Sequence, residues 1–265
     1  NLNMLGFNIP LLAYYLSQVV FNQSDRIMIS HITSTSDAAM YGVAYNLAMI
    51  LTFVLNAING SYVPWLYGKI KKNNAQDNKS ISLILIMLMG LIILCVIWYA
   101  PEIILIMAGK QYSVAIYVVA PVSMSLLLLF YSQLFINIEF YYEEKKMLVY
   151  GSIGAAVLNI ILNGLLIPIF GFVAAGYTTL ISYIVFALSN YYTMRLMLKK
   201  RKLDDDMYDY KLLLLLFVAF MISGFLGVAL YGNLILRILI TLVVFGLLVI
   251  NKNKFIDALK KIKER

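Results

Sequence analysis

The segment FNQSDRIMIS, residues 21–30, places an acid and a base inside an otherwise apolar stretch that runs from Pro10 to Ile32. A charged side chain in a long apolar helix is costly unless it is paired or reaches water. Asp25 and Arg26 lie roughly 100° apart around a helix, so they need not pair with each other. If Arg26 faces an internal cavity, it offers a permanent positive charge to an anion. If it points to the membrane interface, it only extends its head group into water.

Amide side chains recur at three- and four-residue spacing along several apolar stretches, so each set lies along one face of a helix. Asn163 follows Asn159 by one turn, and a later stretch adds Thr178 and Thr179. Each amide can join two helices by a hydrogen bond that contributes roughly 0.6 to 2 kcal/mol, but together the stripes favour a hydrated cavity. The candidate substrate-binding residues are Gln18, Asn22, Arg26, Asn56, Asn59, Gln133, Asn137 and Asn159.

Residues for covalent or metal chemistry are scarce. Cys95 is the only cysteine and His31 the only histidine, so a disulfide within the chain is excluded and a histidine-based site would depend on one side chain. The acidic runs at 204–206 and 143–144 resemble metal or sugar-nucleotide ligands, but both adjoin lysines in short loops, where charges are normally solvated. The sequence predicts no metal site, no cofactor and no enzymatic activity.

The composition indicates which elements position these side chains. Of the 265 residues, 62% are hydrophobic and 13% are charged, which is typical of an integral membrane protein. A helix of about 20 apolar residues spans the hydrocarbon core of a bilayer. We predict an all-α polytopic membrane protein with about eight transmembrane helices, at 10–32, 41–66, 81–100, 114–137, 148–168, 174–198, 211–230 and 234–250.

Lysine and arginine are distributed unevenly between the loops. Eighteen of the 21 lie in the segments after the second, fourth, sixth and eighth predicted helices or at the helix ends that border them. Because cytoplasmic loops are enriched in basic residues, both ends of the chain are predicted to be cytoplasmic. The net charge of +8 is thus a signal of topology, and nucleic acid is not an expected partner. No predicted loop is long enough to hold a soluble catalytic domain.

Four segments carry a resemblance to a known family: LLAYYLSQVVFNQSDRIMIS, VPWLYGKI, PEIILIMAGKQYSVAIYVVAPVS and EFYYEEKKMLVYGSIGAAVLNIILNGLLIPIFGFVAAGYTTLISYIVFALSNYY. In them the chain resembles the Wzx-type flippases, polysaccharide transporters of the MATE-like MOP superfamily. Members usually have two six-helix lobes around a central cavity, often followed by two further helices. The resemblance implies that residues 1–200 form the second lobe, 201–250 two accessory helices and 251–265 a basic cytoplasmic tail, with the N-terminal lobe missing.

The resemblance also implies a function. Such flippases move an undecaprenyl-pyrophosphate-linked oligosaccharide from the cytoplasmic to the outer leaflet of the bacterial inner membrane by alternating access. The oligosaccharide is a repeat unit of O-antigen, lipopolysaccharide or capsule. The implied partners are this lipid-linked oligosaccharide, membrane lipids, the missing lobe and the polysaccharide polymerase machinery. Asp25 is the predicted ion-coupling residue for a proton or Na⁺, with Glu139 a weaker candidate, and Arg26 suits the pyrophosphate.

Two other functions remain open from the sequence. A cation-coupled MATE-like exporter of small molecules would again depend on Asp25. A membrane-bound polysaccharide polymerase or ligase would need catalytic side chains in a sizeable outer loop, whereas the longest predicted outer segment, near 101–113, offers only Glu102 and Lys110. The flippase interpretation is preferred.

Overall fold

The computed structural model describes residues 23–72, 74–144, 146–203 and 206–250, together with Leu16 and Val19. The helices are α1 at 23–32, α2 Thr35–Lys71, α3 Asn78–Trp98, α4 Ala100–Met107, α5 Ile116–Tyr141, α6 Lys146–Phe170, α7 Val173–Lys200, α8 Tyr210–Ala229 and α9 Leu234–Ile250, with 3₁₀ turns at Ala75–Asp77 and Lys110–Ala115. The described residues contain no strand. The predicted all-α fold is confirmed.

Six of the described helical segments are long and apolar enough to cross a membrane, and Leu234–Val244 is a shorter apolar helix. The chain is therefore a multi-pass membrane protein. Each predicted span from 41–66 onward coincides with one helix, and the described part of the first span is helical. The tail predicted at 251–265 lies outside the described residues, and the division into a lobe and accessory helices stays a prediction.

One helix was not predicted. Helix α4 forms where the sequence suggests an outer loop, and Pro101 lies in its first turn, where the missing proline N–H has no helical partner to lose. Elsewhere, a side-chain cap begins α2 and a glycine ends α6. The Ser34 hydroxyl accepts a hydrogen bond from the Asp37 N–H at 3.0 Å at the start of α2. Gly171, with a φ of 72°, makes the tight turn between α6 and α7.

Helix α5 forms the centre of the bundle. It packs against α2, α3, α7 and α8, while α6 packs against α7. The side chains of α5 are buried along most of its length, and the helix continues through Pro121. A Cβ on Gly176 of α7 would lie 3.0 Å from the Cγ of Pro121. The glycine at this position therefore lets α7 approach the central helix closely.

Glycines also let α8 approach its neighbours. A Cβ at Gly227 would lie 2.1 Å from Cδ1 of Trp98, and one at Gly224 would lie 2.1 Å from Cε of Met124. The Trp98 indole N–H donates to the Ser223 carbonyl at 3.1 Å, which holds the ring against α8. Small residues thus attach α8 to α3 and α5, as is common between membrane helices.

We expect Gly227→Ala to destabilise the folded protein by about 1 to 3 kcal/mol, because the new methyl group would overlap a tryptophan ring that has its own hydrogen bond. The measurement is the midpoint of thermal unfolding in detergent. Gly60→Ala is the matched control, since no other atom lies within 4 Å of the added Cβ. Equal midpoints for the two variants would contradict the close packing of α8.

An ion pair attaches α9 to α4. Arg237 donates to the two carboxylate oxygens of Glu102 at 2.8 and 2.7 Å, and also to the carbonyl of Trp98. Tyr99 donates to the hydroxyl of Thr241 at 2.9 Å, one turn further along α9. The hydrogen bonds from the Arg237 guanidinium hold the pKa of Glu102, which lies outside the six spans, below its ordinary value.

This ion pair predicts a dependence of stability on pH. Because the pKa of Glu102 is lowered in the folded protein, its stabilising contribution is present above the ordinary pKa of 4.5 and is lost as the pH falls through the lowered value. The thermal midpoint of the wild type should therefore fall more steeply below pH 4.5 than that of Glu102→Gln. Parallel pH profiles for the two proteins would contradict a stabilising role for the pair.

Candidate functional site

The Asp25 carboxylate of α1 lies where four helices meet. Its Oδ2 accepts hydrogen bonds from Tyr41 Oη of α2 at 2.5 Å and from Thr179 Oγ1 of α7 at 2.7 Å. Its Oδ1 accepts one from Asn163 Nδ2 of α6 at 2.6 Å. Asp25, Tyr41 and Asn163 are fully buried. One side chain therefore connects α1 to three other helices.

A second layer of buried polar side chains surrounds this carboxylate. Asn159 donates to Thr179 Oγ1 at 3.2 Å and accepts from Ser24 Oγ at 3.2 Å and from Asn163 Nδ2 at 3.1 Å. The Thr178 hydroxyl donates to Asn163 Oδ1. Carboxylate, amide and hydroxyl oxygens are thus gathered in one buried cluster, here called the Asp25 network. Hard cations prefer oxygen ligands of these kinds.

Within the described part of the chain, the Asp25 network has no basic partner. Among the described residues, no lysine or arginine forms an ion pair with Asp25. Removing an ionised carboxylate from water is costly, and hydrogen bonds from neutral groups leave its charge uncompensated. A proton or a monovalent metal ion would compensate that charge. The arrangement therefore fits reversible binding of a cation.

Arg26, the next residue along α1, contacts a different set of side chains. Its Nη2 donates to Asn46 Oδ1 at 2.6 Å and to the Gly42 carbonyl at 3.4 Å, and its guanidinium lies 5.1 Å from the centre of the Tyr45 ring. Arg26 is half-buried and Asn46 is exposed. The positive charge of Arg26 thus remains partly accessible, and it is separate from the Asp25 network.

Two tyrosines connect these neighbouring sites. Tyr41 donates to Asp25 and stacks on Tyr45, with ring centres 5.8 Å apart. Tyr45 in turn carries the Arg26 guanidinium on its ring. A change at Asp25 that displaces Tyr41 would therefore also displace Tyr45, which contacts Arg26 directly.

The structure places the predicted substrate-binding amides in different environments. Asn159 belongs to the Asp25 network. Asn137 of α5 donates to Asn59 Oδ1 of α2 at 2.8 Å, so this pair joins two helices. Glu139, the weaker candidate for ion coupling, is buried and has no hydrogen-bond partner among the described residues for either carboxylate oxygen. It lacks the donors that surround Asp25, which is therefore the better candidate.

Other predicted amides lie nearer the surface. Asn56 is exposed on α2, as is Asn46 on the same helix. Exposed amides within a membrane span are unfavourable against lipid, so this face of α2 suits water or another protein surface. Gln133 is half-buried, and its Oε1 has no partner among the described residues. Gln18 and Asn22 lie outside the described residues.

The sequence predicts no role in ion binding for Tyr41 or Asn163. Asn163 could have been included, because it stands one helical turn after Asn159 and so shares its face. Tyr41 gives no comparable signal, since an aromatic residue at the start of an apolar span is common. Thr178 and Thr179 were recognised only as polar positions.

The chain is similar in structure to two solved transporters. The chain superimposes on an outward-facing multidrug resistance MATE family transporter with a TM-score of 0.58, and on a transporter from Pyrococcus furiosus Vc1 (DSM3638) with a TM-score of 0.56. Both are described as members of the MOP superfamily, and each alignment covers 84% of this chain and 51% of the other at 19% identity. The chain therefore shares the fold of these two transporters.

Sequence comparison points to polysaccharide biosynthesis. The profile of a family described as polysaccharide biosynthesis proteins matches residues 2–68. A protein of the Lsg locus of Haemophilus influenzae is 26% identical in an alignment of 166 residues, which covers 59% of this chain and 40% of that protein. The resemblance to a family of polysaccharide biosynthesis proteins is confirmed, and the two solved transporters share the fold of this chain. The chain thus spans 40% of this Haemophilus influenzae protein and 51% of each of these two solved transporters.

Proposed function

We propose that this chain forms one half of a flippase that moves undecaprenyl-pyrophosphate-linked oligosaccharide units from the cytoplasmic to the outer leaflet of the bacterial inner membrane. The observation that carries this proposal is a pair of adjacent but separate charges. Asp25 lies in a buried, oxygen-rich network, and the partly accessible Arg26 lies on the ring of Tyr45. The first fits a coupling cation and the second fits a pyrophosphate. The MOP fold and the polysaccharide biosynthesis profile support the assignment.

The anionic part of the substrate would bind at Arg26. A guanidinium presents a planar set of donors that matches phosphate oxygens, and its charge strengthens each hydrogen bond. Asn46 and Asn56, on the exposed face of α2, would bind sugar hydroxyls together with Gln18 and Asn22. A facing lobe would complete the cavity, while the polyprenyl tail stays in lipid.

The membrane potential favours transport in the proposed direction. Moving two negative charges outward across an inside-negative membrane is favoured by roughly 4.6 kcal/mol per 100 mV, from about 2.3 kcal/mol per charge. Inward movement of a proton or Na⁺ carried by Asp25 would add to this driving force. Through Tyr41 and Tyr45, loss of the cation would alter the position of Arg26 and so its hold on the pyrophosphate.

A flippase of this kind has a defined orientation in the membrane and defined partners. The basic loops and both ends of the chain would face the cytoplasm, as the distribution of lysine and arginine predicts. The partners would be an N-terminal lobe, membrane lipids and the polymerase machinery that receives the flipped unit, in the assembly of O-antigen or capsule. Transport of this kind breaks no bond and needs no cofactor.

The test is a flipping assay on the full-length protein in proteoliposomes. A fluorescent undecaprenyl-pyrophosphate-linked oligosaccharide is followed with a membrane-impermeant quencher, and the same oligosaccharide on an uncharged lipid is the control. We expect protein-dependent flipping that is faster for the pyrophosphate form, because only that form can bind Arg26. Flipping at the rate of empty liposomes would contradict the proposal.

A cation-coupled exporter of small molecules is the second candidate, because the Asp25 network would serve it equally well. The charge of Arg26 opposes binding of organic cations, which favours the flippase. The same proteoliposomes separate the two functions. Export of a fluorescent organic cation that is lost in Asp25→Asn, without flipping of the lipid-linked sugar, would assign the chain to the exporters.

A further inference from the structure

A groove of about 400 Å³ lies between α7 and α8, with α5 at its base. Leu188 and Leu214 on its two sides are 60% and 63% exposed, so the groove opens outward from the helix bundle. Its lining is mainly aliphatic and aromatic and includes Leu128, Phe135, Ile184 and Phe217. A lining of this kind suits a hydrocarbon chain.

Aromatic contacts at one end fix the width of the groove. Tyr131 of α5 donates to the Leu213 carbonyl of α8 at 2.9 Å. Tyr191 of α7 packs edge-on against Phe135 of α5 and Tyr210 of α8, with ring centres 5.6 and 5.3 Å apart. These contacts hold α7 and α8 to α5, so the groove is formed without a ligand.

Basic side chains gather at the same end. Lys211 lines the groove itself, and Tyr191 is shared with an adjoining hollow of about 480 Å³ that Arg195 and Lys199 also line. The Arg195 guanidinium lies 5.8 and 5.0 Å from the ring centres of Tyr191 and Tyr210. The positive-inside rule predicts that this end faces the cytoplasm. An apolar groove therefore leads to a positively charged mouth at the predicted cytoplasmic end of α7.

We propose that this groove binds an anionic glycerophospholipid of the cytoplasmic leaflet. One acyl chain would lie between α7 and α8, and the phosphate would lie among Lys211, Arg195 and Lys199. Basic hollows between membrane helices on the cytoplasmic side are known binding sites for anionic head groups. Asp209, two residues before Lys211, accepts a hydrogen bond from the Leu212 N–H at 3.1 Å and so stabilises the start of α8. The inference does not depend on the proposed substrate.

Native mass spectrometry tests this site on the full-length protein, released from detergent that contains equal amounts of phosphatidylglycerol and phosphatidylcholine. We expect the wild type to retain phosphatidylglycerol preferentially. The double variant Arg195→Gln with Lys211→Gln should retain about 25-fold less phosphatidylglycerol, since each of the two basic side chains contributes about fivefold near an anionic surface. Lys71→Gln removes an exposed lysine at the end of α2, outside the groove, and should behave as the wild type.

A second variant tests the apolar part. Ala187→Leu places a larger side chain in the groove and leaves the three basic residues intact, so retention of both lipids should fall. Circular dichroism shows whether each variant keeps its helical content. Equal retention of the two lipids by the wild type would overturn the proposal, as would a loss of phosphatidylglycerol in Lys71→Gln as large as that in the double variant. Unchanged lipid retention in folded Ala187→Leu would also overturn it. So would preferential retention of a polyprenyl phosphate added to the mixture.

Discussion

Asp25→Asn is expected to lower cation-driven transport by about a hundredfold, while the protein still folds. Asparagine has the shape of aspartate, so its side-chain oxygen can accept the hydrogen bond from Asn163. Its NH₂ group can donate to the hydroxyls of Tyr41 and Thr179, because a hydroxyl group can accept as well as donate. The negative charge that would hold a cation is lost. The measurement is the initial rate of flipping in proteoliposomes with an imposed Na⁺ or proton gradient.

Stability separates this effect from misfolding. The thermal midpoint of Asp25→Asn should equal or exceed that of the wild type, because an uncompensated buried charge is removed. Asp25→Ala should instead be less stable, since each donor left without a partner costs about 1 to 3 kcal/mol. Asp37→Asn is the matched control, because Asp37 lies at the start of α2, outside the Asp25 network. An Asp25→Asn protein with the gradient response of the wild type would rule out the assignment.

Arg26→Ala is expected to slow flipping of the pyrophosphate-linked substrate by about 10- to 100-fold, because a hydrogen bond to a charged group contributes roughly 1.5 to 3 kcal/mol. Arg26→Lys should recover part of the rate, since it keeps the charge but loses the planar donors that match phosphate. The assay is the same flipping measurement at low and high salt, and the difference between wild type and Arg26→Ala should shrink at high salt.

The substrate itself supplies the specificity control. Arg26→Ala should leave the slow movement of the uncharged lipid-linked oligosaccharide unchanged, because no pyrophosphate is present to bind. Lys110→Ala removes a charge from the 3₁₀ turn before α5 and should flip both substrates like the wild type. If Arg26→Ala slows both substrates equally, Arg26 has a structural role and the anion binds elsewhere.

Most helices could be predicted from the sequence because about 20 consecutive apolar residues have one common outcome in a membrane, a spanning helix. Helix α4 could not. Its span, Ala100–Met107, is too short to show a helical period, and a proline near its start suggests a break. The long α2, Thr35–Lys71, extends beyond its apolar stretch at both ends, where the signal is weak.

The candidate site could be predicted only in part. Asp25 and Asn159 were identifiable because polar side chains in apolar spans are costly. Asp25 accepts hydrogen bonds from Tyr41 and Thr179, and Asn159 donates to Thr179. These contacts depend on how four helices are rotated against one another, which the pattern within one helix does not determine. The same limit applies to Asn59, which accepts a hydrogen bond from Asn137 of α5.

Cation binding by the purified full-length protein tests most directly whether the Asp25 network holds the ion that drives transport. Calorimetric titration with NaCl against a KCl background, repeated at two pH values, measures bound Na⁺ and any proton exchanged for it. We predict a site for Na⁺ or for a proton in the wild type and in Asp37→Asn, and its loss in Asp25→Asn. Identical binding of both ions by the wild type and Asp25→Asn would contradict this role for Asp25.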